Sequence, residues 1–262
     1  MSFNHLDLFS GIGGFALAAK WAGFNTKAFC EIDPFCKKVL EKNFPNTIIF
    51  NDIKTLQYTS EINLVTAGFP CQPFSQAGSK KGTDDSRYLW KELLKVITNV
   101  KAEFVILENV SGLIKMELDN IITNLEREDY QTESFIIPAC ATNAPHRRDR
   151  IWIIAYSNSL RINEWFCDRE TGYFQEDLNG YVEKIQQEWT QFIPNTWSSY
   201  KARDWLNYNT ESSRRNDGIP ERLDKDRIKS LGNAIVPQVI YPILKLINIY
   251  LSKELLEYGQ KR

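Results

Sequence analysis

Short apolar runs alternate with amphipathic stretches through residues 1–157, the pattern that a mostly parallel sheet covered by helices leaves in its sequence. The runs predict strands at 5–9, 27–32, 47–50, 64–67, 104–107, 132–138 and 150–156. Helices are predicted at 14–23, 34–43, 87–100 and 117–128. Leu89, Leu93, Val96 and Val100 recur at helical spacing, so they read as one core-facing stripe. The pattern then breaks. From 158 to about 209 the chain is rich in Trp, Tyr, Gln and Asn, with Trp165, Trp189, Trp197 and Trp205 scattered without a repeat. A last helix at 238–258 carries Ile240, Ile243, Leu244, Ile247 and Leu251 on one side, a stripe that reads as a docking surface for the main domain. Three regions are expected: a main α/β domain at 1–157, a small module at 158–213, and a segment at 214–262 that returns to the main domain.

Composition narrows the class without choosing a function. The 262 residues carry 32 Lys+Arg against 33 Asp+Glu, so bulk positive charge cannot be what holds a polyanion, although a local basic cleft can. Cys30, Cys36, Cys71, Cys140 and Cys167 form no CxxC pair, and His5 and His146 are the only histidines, so no zinc-ligand spacing can be assembled and no metal is expected. An odd cysteine count fits reduced thiols better than a disulfide framework. The apolar stretch 239–251 contains Lys245 and is too short to span a bilayer, and no basic residue precedes Lys20 as a signal peptide would require. A soluble cytoplasmic protein is expected.

Several segments carry chemistry. Asp7-Leu8-Phe9-Ser10-Gly11-Ile12-Gly13-Gly14 reads as strand, glycine turn and helix start, where backbone can approach a ligand and helix N–H groups are free. Glu31 ends the second predicted strand, placed to accept hydrogen bonds from a ribose diol. By themselves these residues support only a nucleoside-containing cofactor, a tight turn with no ligand being the lesser alternative. Gly68-Phe69-Pro70-Cys71-Gln72-Pro73-Phe74-Ser75 places a cysteine between two prolines after the fourth predicted strand, at the sheet end where α/β proteins keep their active sites, and a polar loop follows to Arg87. Glu108-Asn109-Val110 puts a carboxylate at the end of an apolar strand, where burial would raise its pKa. In Arg147-Arg148-Asp149-Arg150 the strand period of two sends Arg148 and Arg150 to one side.

Taken in order, and with Asn51-Asp52 and Gly232-Asn233-Ala234-Ile235-Val236-Pro237 added, these segments resemble the C5-cytosine DNA methyltransferases, compact phage or prophage members in particular. The resemblance implies a Rossmann-like S-adenosylmethionine-dependent methyltransferase fold with a small target-recognition module at 158–213. Phe9, Gly11, Gly13, Gly14, Glu31, Ile32, Asp52, Pro70 and Asn233 would bind S-adenosylmethionine, which would leave as S-adenosylhomocysteine. Cys71 would be the nucleophile toward C6 of cytosine, Glu108 would act at N3, and Arg148 and Arg150 would orient the ring and the sulfur. Gln72, Ser75 and Arg87 would touch the DNA.

That chemistry is physically coherent. C5 of cytosine is a poor nucleophile until a thiolate adds at C6, and covalent catalysis replaces one hard step by easier ones. Arginines beside a thiol lower its pKa, and a base stacked in a duplex must be flipped out to be reached. Duplex DNA is the expected partner, a cognate restriction endonuclease a functional rather than physical one, and the protein itself a monomer. Charge along the chain agrees: 116–146 holds one basic against six acidic residues, whereas 147–158 holds three against one. The other readings are a tRNA-directed relative, a silent cofactor-binding partner of another methylase, and a nicotinamide oxidoreductase. Against the first, Cys167 is followed by Asp168 and Arg169 rather than the Cys-Phe-Thr of the RNA-directed branch.

Overall fold

The computed structural model describes residues 2–70, 89–142, 148–160, 226, 229–231 and 233–260, with side chains as far as Lys253. Its strands are β1 (Phe3–Leu8), β2 (Phe24–Cys30), β3 (Ile48–Phe50), β4 (Leu64–Ala67), β5 (Phe104–Val110), β6 (Tyr130–Pro138) and β7 (Asp149–Ser157). The helices are α1 (Gly14–Ala22), α2 (Pro34–Asn43), α3 (Trp90–Val100), α4 (Leu118–Arg127) and α5 (Pro237–Gln260). The seven strands form one sheet in the order β3-β2-β1-β4-β5-β7-β6. Neighbours from β3 to β5 run parallel, and β7 lies antiparallel between β5 and β6.

The strand period of two sorts the core into two layers. Along β5, Val105 and Leu107 face α3 and α4 and pack with Leu93, Ile97, Ile121 and Leu125. Phe104 and Ile106 face the other way, toward α1 and α5, and meet Ala18, Ile240 and Leu244. The stripe of the final helix therefore covers the sheet beside α1 as its spacing predicts. Helix α1 can lie close because Ala16, Ala18, Ala19 and Ala22 are small, and Gly23 ends it in the left-handed conformation with its N–H returned to Ala19 and Lys20 carbonyls. Pro34 and the Asp33 cap, whose carboxylate accepts from the Phe35 and Cys36 N–H groups, fix the start of α2.

Two polar residues lie inside β1. His5 and Asp7 are fully buried, and Thr66 of β4 joins them: His5 Nε2 lies 2.8 Å from Thr66 Oγ1, which donates to Asp7 Oδ1 at 2.9 Å. His5 Nδ1 is 2.9 Å from Thr26 Oγ1 on β2. Burial holds the His5 pKa down to about 3, so the imidazole stays neutral, and pushes the Asp7 carboxyl well above the usual carboxylate range.

The predicted fold class is the one present. β2 begins at Phe24, three residues before its predicted start, and β5 runs on through Glu108 and Asn109 to Val110 instead of ending at Leu107. Polar residues look like a strand end in one dimension, but Glu108 pairs with Trp152 and Asn109 with Ile151 on β7.

Candidate active site

β1 has β2 on one side and β4 on the other, so the strand order changes direction there and opens a crevice beyond the C-terminal ends, where α/β sheets bind ligands. After β1 the chain passes through left-handed conformations at Phe9 (φ 53°), Gly11 (φ 55°) and Gly13 (φ 88°). A left-handed phenylalanine is strained, and such strain persists only where the surroundings hold it. Ser10 supplies part of the hold, donating from Oγ to the Asp7 carbonyl at 2.7 Å and from its N–H to the Cys30 carbonyl at 3.2 Å.

Glu31, at the end of β2, is buried, with both carboxylate oxygens in use: Oε2 accepts from the Gly11 N–H at 2.7 Å and Oε1 from the Asp33 N–H at 2.8 Å. It thereby ties the glycine turn to the start of α2. Ile32 beside it is 69% exposed, an unusual position for a large aliphatic side chain. Asp52 follows β3 and accepts the Lys54 N–H. Glu31 and Asp52 converge on the end of β2, where burial and then their two charges push the Cys30 thiol up to about 12.

The three glycines of the turn differ in what their missing side chains allow. A Cβ on Gly11 would meet nothing within 4 Å. On Gly13 it would come 2.9 Å from Phe44, and on Gly14 it would lie 2.8 Å from Ile235 Cγ1 and 3.1 Å from the Ile235 carbonyl oxygen. Gly11 therefore borders open space, while Gly13 and Gly14 let α2 and the C-terminal segment close up.

The second part of the site lies across β4. Glu108, Arg148 and Arg150 line a small, narrow cleft with Trp152, Ile137, Ala139, Ile235, Val236 and Val239. As the spacing predicts, the two arginines reach the same cleft. Arg150 Nε is 2.9 Å from Glu108 Oε1. Its N–H is not aligned on that oxygen, so the contact is an ion pair, and Oε1 stays buried without a hydrogen bond. Burial raises the Glu108 pKa, and the charges of Arg150 and then Arg148 only partly offset it. Arg148 is itself lowered, by burial first and by Arg150 second. The cleft thus holds a carboxyl that takes a proton easily beside two crowded cations. Glu108 Oε2 approaches the end of β4, 3.7 Å from where a Gly68 Cβ would stand.

Asn109 was quoted in the sequence only as part of a motif, and the structure gives it work: buried, it donates from Nδ2 to the Phe69 carbonyl at 3.1 Å. It fixes the backbone that leads through half-buried Pro70 toward position 71. Ile235 was likewise only a motif member; it borders the Glu108 cleft and contacts Gly14. Asn233 is exposed, in the segment that precedes α5. Cys71, Gln72, Ser75 and Arg87 lie outside the described residues, as does nearly all of the module expected at 158–213, Cys167 included. Among the described residues no group of three or more His, Cys, Asp or Glu side chains could hold a metal ion, and no helix is long and apolar enough to cross a membrane.

Known proteins share this arrangement. The chain is 36% identical over 159 residues to the type II methyltransferase M2.BsuMI of Bacillus subtilis, a match covering 57% of this chain and 41% of that protein. With the type II methyltransferase M.HhaI of Haemophilus parahaemolyticus it shares 31% identity over 184 residues, covering 66% and 55% of the two chains. The chain thus matches only about half the length of these curated relatives, or less. A candidate DNA modification methyltransferase encoded within an Escherichia coli prophage superposes with a TM-score of 0.53 at 30% identity, covering 61% of this chain and 48% of that one. A mutant of Spodoptera frugiperda DNMT2 does so with a TM-score of 0.52 at 26% identity, over 61% and 51% of the chains. The family of C-5 cytosine-specific DNA methylases matches residues 3–227, most of the sequence, and the chain belongs to that family.

Proposed function

We propose that this protein is a DNA (cytosine-5-)-methyltransferase that uses S-adenosylmethionine. The observation that carries the reading is Glu108: buried, raised in pKa, with Oε1 free of any hydrogen bond, and facing Arg148 and Arg150 next to the strand that leads to Cys71. A buried carboxyl whose pKa is raised by burial takes a proton more readily than an exposed one, which suits hydrogen bonding to N3 of a cytosine ring.

The crevice beyond β1 and β2 fits the cofactor. Gly11 borders open space, Ile32 offers exposed apolar surface, and the anchored Glu31 carboxylate keeps spare lone pairs for a ribose diol. Phe9, Gly11, Glu31, Ile32, Asp52 and Pro70 would line the site. Gly13, Gly14 and Asn233 would shape its floor and rim. Bound there, S-adenosylmethionine supplies an electrophilic methyl group.

The chain's own residues do the rest. The Cys71 thiolate adds to C6 of a flipped-out cytosine, Glu108 donates at N3, and electron density moves to C5. Arg148 and Arg150 hold the ring's carbonyl and favour the thiolate. Once C5 carries the methyl group, loss of the C5 proton expels the sulfur and restores the ring. Gln72, Ser75 and Arg87 would contact duplex DNA, and residues 158–213 would read the target. Bacterial relatives of type II name favour a cytoplasmic enzyme acting beside a restriction endonuclease.

Labelled S-adenosylmethionine and duplex DNA test this directly. Wild-type protein is expected to transfer label to cytosine and to form a covalent complex with 5-fluorocytosine DNA, whose fluorine cannot leave as a proton. Cys71→Ser is expected to fall to background in both assays while still binding cofactor. Full activity in that variant would remove the nucleophile assignment.

A further inference from the structure

The C-terminal segment touches the crevice at three points separated from it by nearly the whole chain. Lys229 Nζ donates to Asp33 Oδ2 at 2.9 Å, across 196 positions of sequence. Ser230, buried, places Oγ 3.5 Å from Cys36 Sγ. Ile235 fills the space that the absent Cβ of Gly14 leaves open. The first two contacts grip the N-terminal turn of α2, and the third grips that of α1.

Asp33 joins these contacts to the turn itself. Its Oδ1 accepts from the Phe35 and Cys36 N–H groups, its Oδ2 from Lys229, and its own N–H is held by Glu31, whose other oxygen holds Gly11. A continuous run of hydrogen bonds therefore leads from Lys229 through Asp33 and Glu31 to Gly11, the turn glycine that borders open space. The ion pair marks both partners: the Lys229 bond, first among its causes, lowers the Asp33 pKa, and the same bond raises that of Lys229.

We infer that Lys229 and Asp33 are positioning residues, whose ion pair fastens the C-terminal segment to the cofactor crevice and sets the geometry of the Glu31–Gly11 wall. The inference rests on the proposed cofactor reading for its effect on affinity, and on geometry alone for its effect on the wall. Neither side chain needs to touch the cofactor. Lys229 is 63% exposed, so the bond is a salt-screened one of modest strength.

The experiment uses the full chain and two readouts. Calorimetry with S-adenosylmethionine alone is expected to show Lys229→Met binding about threefold more weakly, as loss of one exposed ion pair would produce. Asp33→Asn, which keeps the helix cap, should weaken binding equally, the double variant no further, and Lys229→Arg should restore it. Amide exchange at Gly11, Phe35 and Cys36 is expected to quicken in Lys229→Met, and in wild type as salt is raised. Unchanged affinity and exchange in Lys229→Met would overturn the inference. If wild type binds no S-adenosylmethionine, the proposed function fails, and exchange still decides the fastening. If a variant does not fold, the salt series on wild type decides it.

Discussion

Two glutamates stand toward the C-terminal side of this sheet, Glu31 just after β2 and Glu108 within β5, similarly sheltered from solvent and opposite in what surrounds them. Glu31, 9% exposed, spends both oxygens on backbone N–H groups of Gly11 and Asp33. Glu108, 7% exposed, meets an arginine that is close yet not aligned for a hydrogen bond, and one of its oxygens is left without any. Burial alone does not make a carboxylate reactive. Satisfied by fixed donors, it becomes an anchor that holds backbone in place; left with fewer donors, it has a charge that the neighbouring arginines only partly stabilise, and its pKa rises.

The largest expected effect comes from Glu108→Gln, which should lower the methyl-transfer rate about 10²–10⁴-fold. Because the folded pKa of Glu108 is raised, the unfolded chain ionises first, so this residue costs stability as pH rises from the usual carboxylate range toward its folded value. Glu108→Gln should therefore fold as well as wild type at neutral pH, and should lack the part of the stability slope that Glu108 contributes. Thermal melts across pH check the sign, and a variant that keeps most of its rate would collapse the distinction between the two glutamates.

Glu31→Gln should behave in the opposite way. One amide end would face a backbone N–H, leaving a buried donor unpaired at a cost of about 1–3 kcal/mol. Denaturant unfolding should show that loss together with weaker cofactor binding. A Glu31→Gln protein as stable as wild type would show that its hydrogen bonds are not what hold the turn.

The glycines sharpen the same contrast with smaller effects. Gly14→Ala drives a methyl group into Ile235 and its backbone, and should cost about 1–3 kcal/mol in an unfolding experiment. Gly11→Ala meets open space and bears only the left-handed backbone, about 1–2 kcal/mol at φ 55°. Its added methyl projects into the crevice, so cofactor affinity should fall further than stability does. Equal losses in both measurements for both variants would mean that Gly11 is packed as Gly14 is.

Much of this was readable in one dimension. The strands β3 and β4 fall close to their predicted limits because buried parallel strands are short apolar runs bounded by turns. The pairing of Arg148 with Arg150 followed from the strand period, and the glycine turn, Glu31 and Glu108 from residue type at a strand end. What misled was polarity inside strands. Glu108 and Asn109 looked like the end of β5, and His5 and Asp7 gave no hint of a buried network, because their partners Trp152, Ile151, Thr26 and Thr66 come from other strands.

The sequence by itself determined the α/β class, the family, and the residue types available for chemistry, since periodicity and local motif order are properties of the chain alone. The tertiary structure decided how those residues are used. It set β7 antiparallel between β5 and β6, turned one glutamate into an anchor and the other into an unsatisfied acid, and brought Lys229 to Asp33 and Ile235 to Gly14. Hydrogen-bond satisfaction and close packing depend on neighbours that are distant in the chain, so folding has to bring them together before either exists.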